Sequence, residues 1–321
     1  MGFFYFSSIS FLMKTQKIFL SLFLLSTVAV FSQSYQVKSS DVSKSLAYLS
    51  SDELEGREIG TSGSEKAAIF LEKYLSENSL KPYFKTYRDT LSNYKKPAYN
   101  IVGFIEGNDP VLKNEFIILG AHYDHIGISK DGGTDIINNG ANDDASGVVA
   151  VSEIGKYFGT TKSNKRSIII AFFDGEESGL LGSKHLAKKL KKANLNLYSV
   201  ICFEMIGVPM KRNFSSYITG FDKSNMSQKL NEYAGKNVTG FLQMEAQYQL
   251  FYRSDNHPFY SEFKIPSQTV STFDFENFEF YHQPGDEFDK MDIQHMTSYI
   301  QDMIPAIEKM ANSATKEIKL N

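Results

Sequence analysis

Two histidines and a set of acids fall just after apolar runs in this sequence, and their types suit a cation site. His122 and Asp124 follow EFIILGA. Glu176 and Glu177 follow RSIIIAFF and Asp174-Gly175. Glu204 follows YSVICF, and Tyr281-His282 follow a Phe-rich loop beyond a last apolar run. Between the first run and the helical pattern after it lies Gly140-Ala141-Asn142-Asp143-Asp144. Acids gathered on one rim repel each other and are costly to bury. A divalent cation offsets that cost, and oxygen donors joined by two imidazoles suit zinc first. Two histidines and three to four carboxylates exceed the needs of one tetrahedral zinc. They suit two ions about 3.5–4 Å apart sharing a bridging carboxylate, an arrangement of many hydrolases.

Spacing assigns some parts. His122 and Asp124 are i and i+2 on extended chain and face the same way, so Asp124 can accept the second ring N–H of His122 and fix its tautomer. Glu176 and Glu177 are adjacent and cannot both comfortably ligate one ion. One can bind metal while the other faces the bound water as a base.

The elements that must position these residues are legible as an alternation. Apolar runs predict strands over 99–105, 115–121, 166–173, 198–203 and 265–271. Helical spacing predicts helices over 64–78, with Ser64 as N-cap, and over 145–158, 179–193, 224–235 and 293–312. Strands that are continuous apolar runs between helices indicate a sheet buried on both faces. The expected fold is a three-layer α/β/α sandwich with a mixed, mostly parallel central sheet. The acids then collect at the carboxyl ends of its strands, where open α/β sheets form their ligand sites.

Composition narrows the partners. Hydrophobic residues make up 42% of the 321, which excludes a wholly disordered chain. Cys202 is the single cysteine, so neither an intrachain disulfide nor a Cys-based zinc knuckle can form. Lys+Arg number 34 against 37 Asp+Glu, and no basic surplus exists to hold nucleic acid. A charge-free apolar run over 18–31, behind Lys14 and Lys17 and ahead of Ser32-Gln33-Ser34, reads as a secretory signal peptide over 1–33. The run is short of the roughly 20 residues of a spanning helix. Export to the periplasm or the medium is expected, with no stable membrane anchor after cleavage.

The strings AHYDHIG, GANDDASGV, FFDGEESGLLGS, FEMIG and YHQPGDEFD, in that order, resemble the M28 family of co-catalytic zinc aminopeptidases, secreted bacterial members especially. The stretch LSSDELEGREIGTSGSEKAAIFLEKYL is similar to the amino-terminal part common in that family, and the resemblance covers roughly residues 45–310. It implies a zinc-aminopeptidase-like fold, one catalytic domain over 34–321, two Zn2+ ions, and peptide substrates with a free N-terminus. Carried over by position, His122 and Glu204 ligate the first zinc, Glu177 and His282 the second, and Asp143 bridges both. Glu176 is the general base and Tyr281 assists the oxyanion. The family also implies a cis peptide between Asp143 and Asp144. Glu204 is a departure, since the family usually has Asp there; the longer side chain reaches further and bears on affinity and metal identity at the first site.

Two other functions share the scaffold. A glutaminyl cyclase uses one zinc and typically places tryptophan near the site, and this chain has no Trp. A non-catalytic binding ectodomain usually lacks ligands or base, and here only Glu204 points that way. Several residues also have ordinary readings. Asp144 suits a helix N-cap. Glu176-Glu177 suit acids matched to a helix dipole. Sequence places His125 at the rim as readily as in the site, and leaves His257 of SDNHPF open as a cleft residue. Aromatics between Tyr248 and Tyr281 suit core packing, with some free to line a pocket.

Overall fold

The apolar runs form the sheet. The computed structural model describes residues 35–130 and 133–321. Its strands are β1 Lys81–Pro82, β2 Arg88–Thr90, β3 Tyr99–Ile105, β4 Phe116–His122, β5 Ser167–Phe173, β6 Leu197–Phe203, β7 Ser216–Ile218, β8 Thr239–Gly240 and β9 Ser267–Ser271. The order across the sheet is β1-β3-β5-β4-β6-β9-β7-β8, with β2 also paired to β3. The inner strands β5, β4, β6 and β9 are mutually parallel. Antiparallel pairs flank them, β3 on β5 and β7 on β9.

The helices are α1 Ser39–Leu49, α2 Ser62–Glu77, α3 Gly147–Thr161, α4 Leu181–Lys192, α5 Met226–Ala234, α6 Gln243–Tyr248, α7 Asn256–Phe263 and α8 Ile293–Asn312. Parallel neighbours need a crossover, and α3 supplies it from β4 to β5 and α4 from β5 to β6. The two-residue side-chain period of the strands divides the core into two faces. Ile118, Ile169, Ala171, Phe173, Val200 and Cys202 pack with Leu186 and Leu190 of α4 and Phe259 of α7. Residues of opposite parity face the other layer, where Ile170 packs on Gly155 of α3. Helices α1, α3 and α8 pack together in that layer. Apolar side chains on both faces are why the inner strands read as unbroken hydrophobic runs.

Residues Val37–Asn321 form one compact unit. The expected leader over 1–33 lies outside the described residues. Among the described residues no helix is long and apolar enough to cross a membrane.

Two local details differ from the sequence expectation. The N-cap of α2 is Thr61, whose side chain accepts from the Ser64 amide at 3.5 Å. The Ser64 hydroxyl instead reaches the carboxylate of Asp174 at 3.3 and 3.4 Å, beneath the strand ends. The stretch from Ser216 to Phe263 also carries β7, β8, α6 and α7, which are too short to leave a periodic signal.

Candidate metal centre

Four parallel strands end on the same side, and the chemistry-bearing residues sit on their extensions. His122 is the last residue of β4. Glu176 and Glu177 lie in the turn between β5 and α4, and Glu204 directly follows β6. Tyr281 and His282 lie in the loop beyond β9, with His282 in a left-handed conformation at φ 57°. Asp143 sits in the irregular turn Ala141–Ser146 that leads into α3, and its peptide bond to Asp144 is cis.

The side chains meet around Asp143. Its Oδ1 lies 3.3 Å from Nε2 of His122, and its Oδ2 lies 3.2 Å from Nε2 of His282. The same His282 nitrogen is 3.2 Å from Oε2 of Glu177. His125 is buried inside this group, with Nδ1 2.9 Å from Oε1 of Glu177 and 3.9 Å from Oδ2 of Asp143. Ligand atoms of His125, Asp143 and Glu177 all lie within 4.8 Å of one another.

These spacings fit zinc. Charge-assisted N–H···O bonds settle near 2.7–2.9 Å. Two N or O ligands about 2.0–2.1 Å from a tetrahedral zinc stand roughly 3.3 Å apart. The contacts of Asp143 with His122 and His282 match the second distance, and the two Asp143 oxygens face different histidines. Nε2 of His125 and Oδ2 of Asp144 are buried without a hydrogen-bond partner, so donor capacity remains around the cluster.

Glu204 lines the same cavity, as does Ser254. Among the described residues the carboxylates within 4.0 Å of His122 are those of Asp124, Asp143 and Asp144. Glu204 is not among them, although its place in the cavity lining keeps it beside the cluster. Asp124 also behaves differently from its spacing. The nearest oxygen to Nδ1 of His122 is the backbone carbonyl of Asp124 at 3.2 Å, while the carboxylate is 3.7 Å away. That carboxylate accepts the backbone N–H groups of Glu176 (3.0 Å) and Glu177 (3.4 Å). It orients the turn that presents both glutamates.

The electrostatics follow from crowding. Burial works against ionised Asp143, but contacts with His122 and His282 hold it well below the usual carboxylate range. Burial likewise opposes a charged His282, yet Asp143 and Glu177 draw its imidazole up to about 10. Burial pushes Glu176 well above the ordinary range, with Glu204, Asp255 and Glu177 adding to the effect and His122 opposing it. Burial raises Asp144 well above its usual value. Burial and the surrounding acids also push up the Tyr281 phenol, which therefore keeps its O–H. Its ring stacks on His282 with centroids 4.0 Å apart.

The separate sequence motifs are bonded to one another. Asp286 of YHQPGDEFD accepts the amides of Asn142 (2.7 Å) and Asp143 (3.0 Å). Asp144 accepts from Gly147 at 3.1 Å and from Met205 at 2.9 Å, tying GANDDASG to FEMIG. A Cβ on Gly147 would stand 2.4 Å from the Asp144 carboxylate and 2.3 Å from the Phe203 carbonyl, so this close approach requires glycine. Arg57 of LEGREIG is 1% exposed. Its guanidinium donates to the carbonyls of Tyr123 (2.8 Å), Asn139 (2.6 Å), Gly140 (3.0 Å) and Leu49. It pins the loop after β4 to the segment entering the Asp143 turn.

Arg57, Asp286 and the burial of His125 escape a reading by residue type. Arg57 and Asp286 lie inside the quoted motifs, which was the available signal. His257 bonds Ser261 at 3.1 Å and packs edge-on to Phe251 and Tyr252, without lining the cavity itself. Of the aromatics, Tyr248, Tyr252, Phe273, Phe275 and Tyr281 line a cavity of about 670 Å³ that opens onto Asp143, Glu176, Glu177 and Glu204. Phe259 is core.

A family model described as peptidase family M28 matches residues 100–306. Over 184 residues the chain is 30% identical to a probable leucine aminopeptidase 2 of Aspergillus oryzae, covering 57% of this chain and 32% of that protein. The chain thus spans about a third of that relative's length. A solved structure of the LapA aminopeptidase of Legionella pneumophila aligns with a TM-score of 0.66 at 20% identity, covering 87% of this chain and 73% of that one. A glutaminyl cyclase of Bacteroides thetaiotaomicron aligns with a TM-score of 0.63 at 18% identity, covering 87% and 99%. At such identities the structural likeness is one of fold.

Proposed function

This chain belongs to peptidase family M28, and from that premise we propose that it is an exported aminopeptidase that removes N-terminal residues from peptides with the aid of two zinc ions. The observation that carries the two-ion reading is the position of Asp143, with one oxygen 3.3 Å from His122 and the other 3.2 Å from His282. His122 and Glu204 would hold one ion, Glu177 and His282 the other, with Asp143 between them.

When bound, zinc supplies Lewis acidity and brings water deprotonation toward neutral pH. The chain supplies the rest. Glu176 lines the cavity beside Asp143 and Glu177. Its carboxylate takes the proton of the attacking water and returns it to the leaving amine. Tyr281 donates its O–H to the oxyanion that develops on the scissile carbonyl. Asp124 holds the Glu176 and Glu177 amides, so base and ligand keep a constant separation. The aromatic wall of the cavity takes the side chain of the N-terminal residue. The charge-free run over 18–31 supports export.

A panel of fluorogenic aminoacyl substrates tests this on protein of measured zinc content, with and without a chelator. Chelator-sensitive hydrolysis at two zincs per chain is expected. Full zinc content with no hydrolysis of any member removes the proposal, and one zinc with cyclisation of N-terminal glutamine replaces it with the cyclase.

A further inference from the structure

The cavity is not lined by acids alone. Lys184 and Arg253, both solvent-exposed, also border it. Lys184, in the first turn of α4, donates to the carbonyl of Gly179 at 2.9 Å. Arg253 ends the turn Leu250–Tyr252, which follows α6; Tyr248 at the end of that helix and Tyr252 in the turn belong to the wall. Among the described residues neither cation forms an ion pair. Other cations do, such as Lys189 with Asp89, Arg212 with Asp274 and Lys229 with Glu317. The acid nearest Arg253 in sequence, Asp255, is buried and forms no ion pair with it among the described residues.

The acids of the cavity belong to the candidate metal centre, and a cation bound there consumes their charge. Two positive side chains then face the substrate volume with no negative partner. An arginine fork matches a carboxylate in shape and charge. We infer that the cavity selects peptides carrying a second anionic group, a carboxylate held by Arg253 and Lys184. This rests on the peptidase reading and narrows its substrates. The carboxylate has two possible sources, the C-terminus of a very short peptide or an acidic side chain at its amino end.

The test compares kcat/KM on zinc-loaded protein for two matched pairs: alanyl-alanine against its C-terminal amide, and glutamyl- against glutaminyl-p-nitroanilide. In at least one pair the anionic member is preferred roughly tenfold to hundredfold, the range of a hydrogen bond to a charged group. Arg253→Met brings that ratio near parity, and Lys184→Met lowers it. The pair that responds identifies the source of the carboxylate. Parity in both pairs for the native protein overturns the inference while leaving the peptidase reading intact. So does a preference that survives in both variants. No turnover of any of the four substrates, together with no hydrolysis across the aminoacyl panel at full zinc content, removes the peptidase reading, and the inference with it.

Discussion

Nδ1 of His125 stands 2.9 Å from Oε1 of Glu177. The other oxygen of that carboxylate is 3.2 Å from His282. Glu177 is thus gripped on one side by a buried imidazole and presents its second oxygen to the cluster. Ring N–H groups placed this way fix the direction of a ligating carboxylate.

Removing that grip weakens the ion held by Glu177 and His282. His125→Ala is expected to lower its affinity roughly 10–100-fold, and His125→Gln, which keeps a donor, to lower it less. Competition with a chelating dye reads both constants, and native affinity for two ions in His125→Ala would refute the positioning role.

Glu176→Gln keeps the size of the side chain and removes the base. Turnover is expected to fall by at least about 10²–10⁴, with zinc content unchanged by elemental analysis. Wild-type kcat in this variant takes the proton transfer away from Glu176.

Arg57 is a fully buried cation whose bonds all go to backbone carbonyls on three segments. Arg57→Met leaves those carbonyls buried without donors and frees the entry to the Asp143 turn. Urea unfolding is expected to show a loss of about 3 kcal/mol or more, with poorer metal retention. A loss below about 1 kcal/mol means other donors replace it.

Asp174 links stability to pH. Burial, with Asp124 nearby, pushes its carboxyl from 3.8 up to about 8. The folded protein keeps a proton that the unfolded chain releases. The associated stability is fully present below about pH 4 and is lost as pH rises to about 8, at no more than ~1.4 kcal/mol per pH unit. Asp174→Asn retains an acceptor for the Tyr123 hydroxyl and the Tyr99 amide. Its unfolding midpoint should gain on the native protein's as pH rises from 5 to 9. Parallel curves across that range would show that Asp174 does not titrate as described.

Much of this was already legible in the amino-acid sequence. The five main strands and the acids that follow them are local features, because an unbroken apolar run marks a strand buried on both faces and polar residues mark where it ends. Residue type and position after the strands made His122, Asp143, Glu176, Glu177, Glu204 and His282 candidates, and the five family-like strings in order set them apart from core histidines and helix-capping acids. Tertiary structure decided how they meet. Parallel pairing of β5, β4, β6 and β9 brings their ends to one edge, and no single segment encodes that. Packing also turned His125 inward and set Arg57 and Asp286 as the ties beneath Asp143. Those outcomes depend on contacts between residues from 52 to 144 positions apart, as in His125–Glu177 and Asn142–Asp286. A side chain's direction at that range is set by which neighbours leave room and supply a hydrogen-bond partner, and this exists only once the layers have closed.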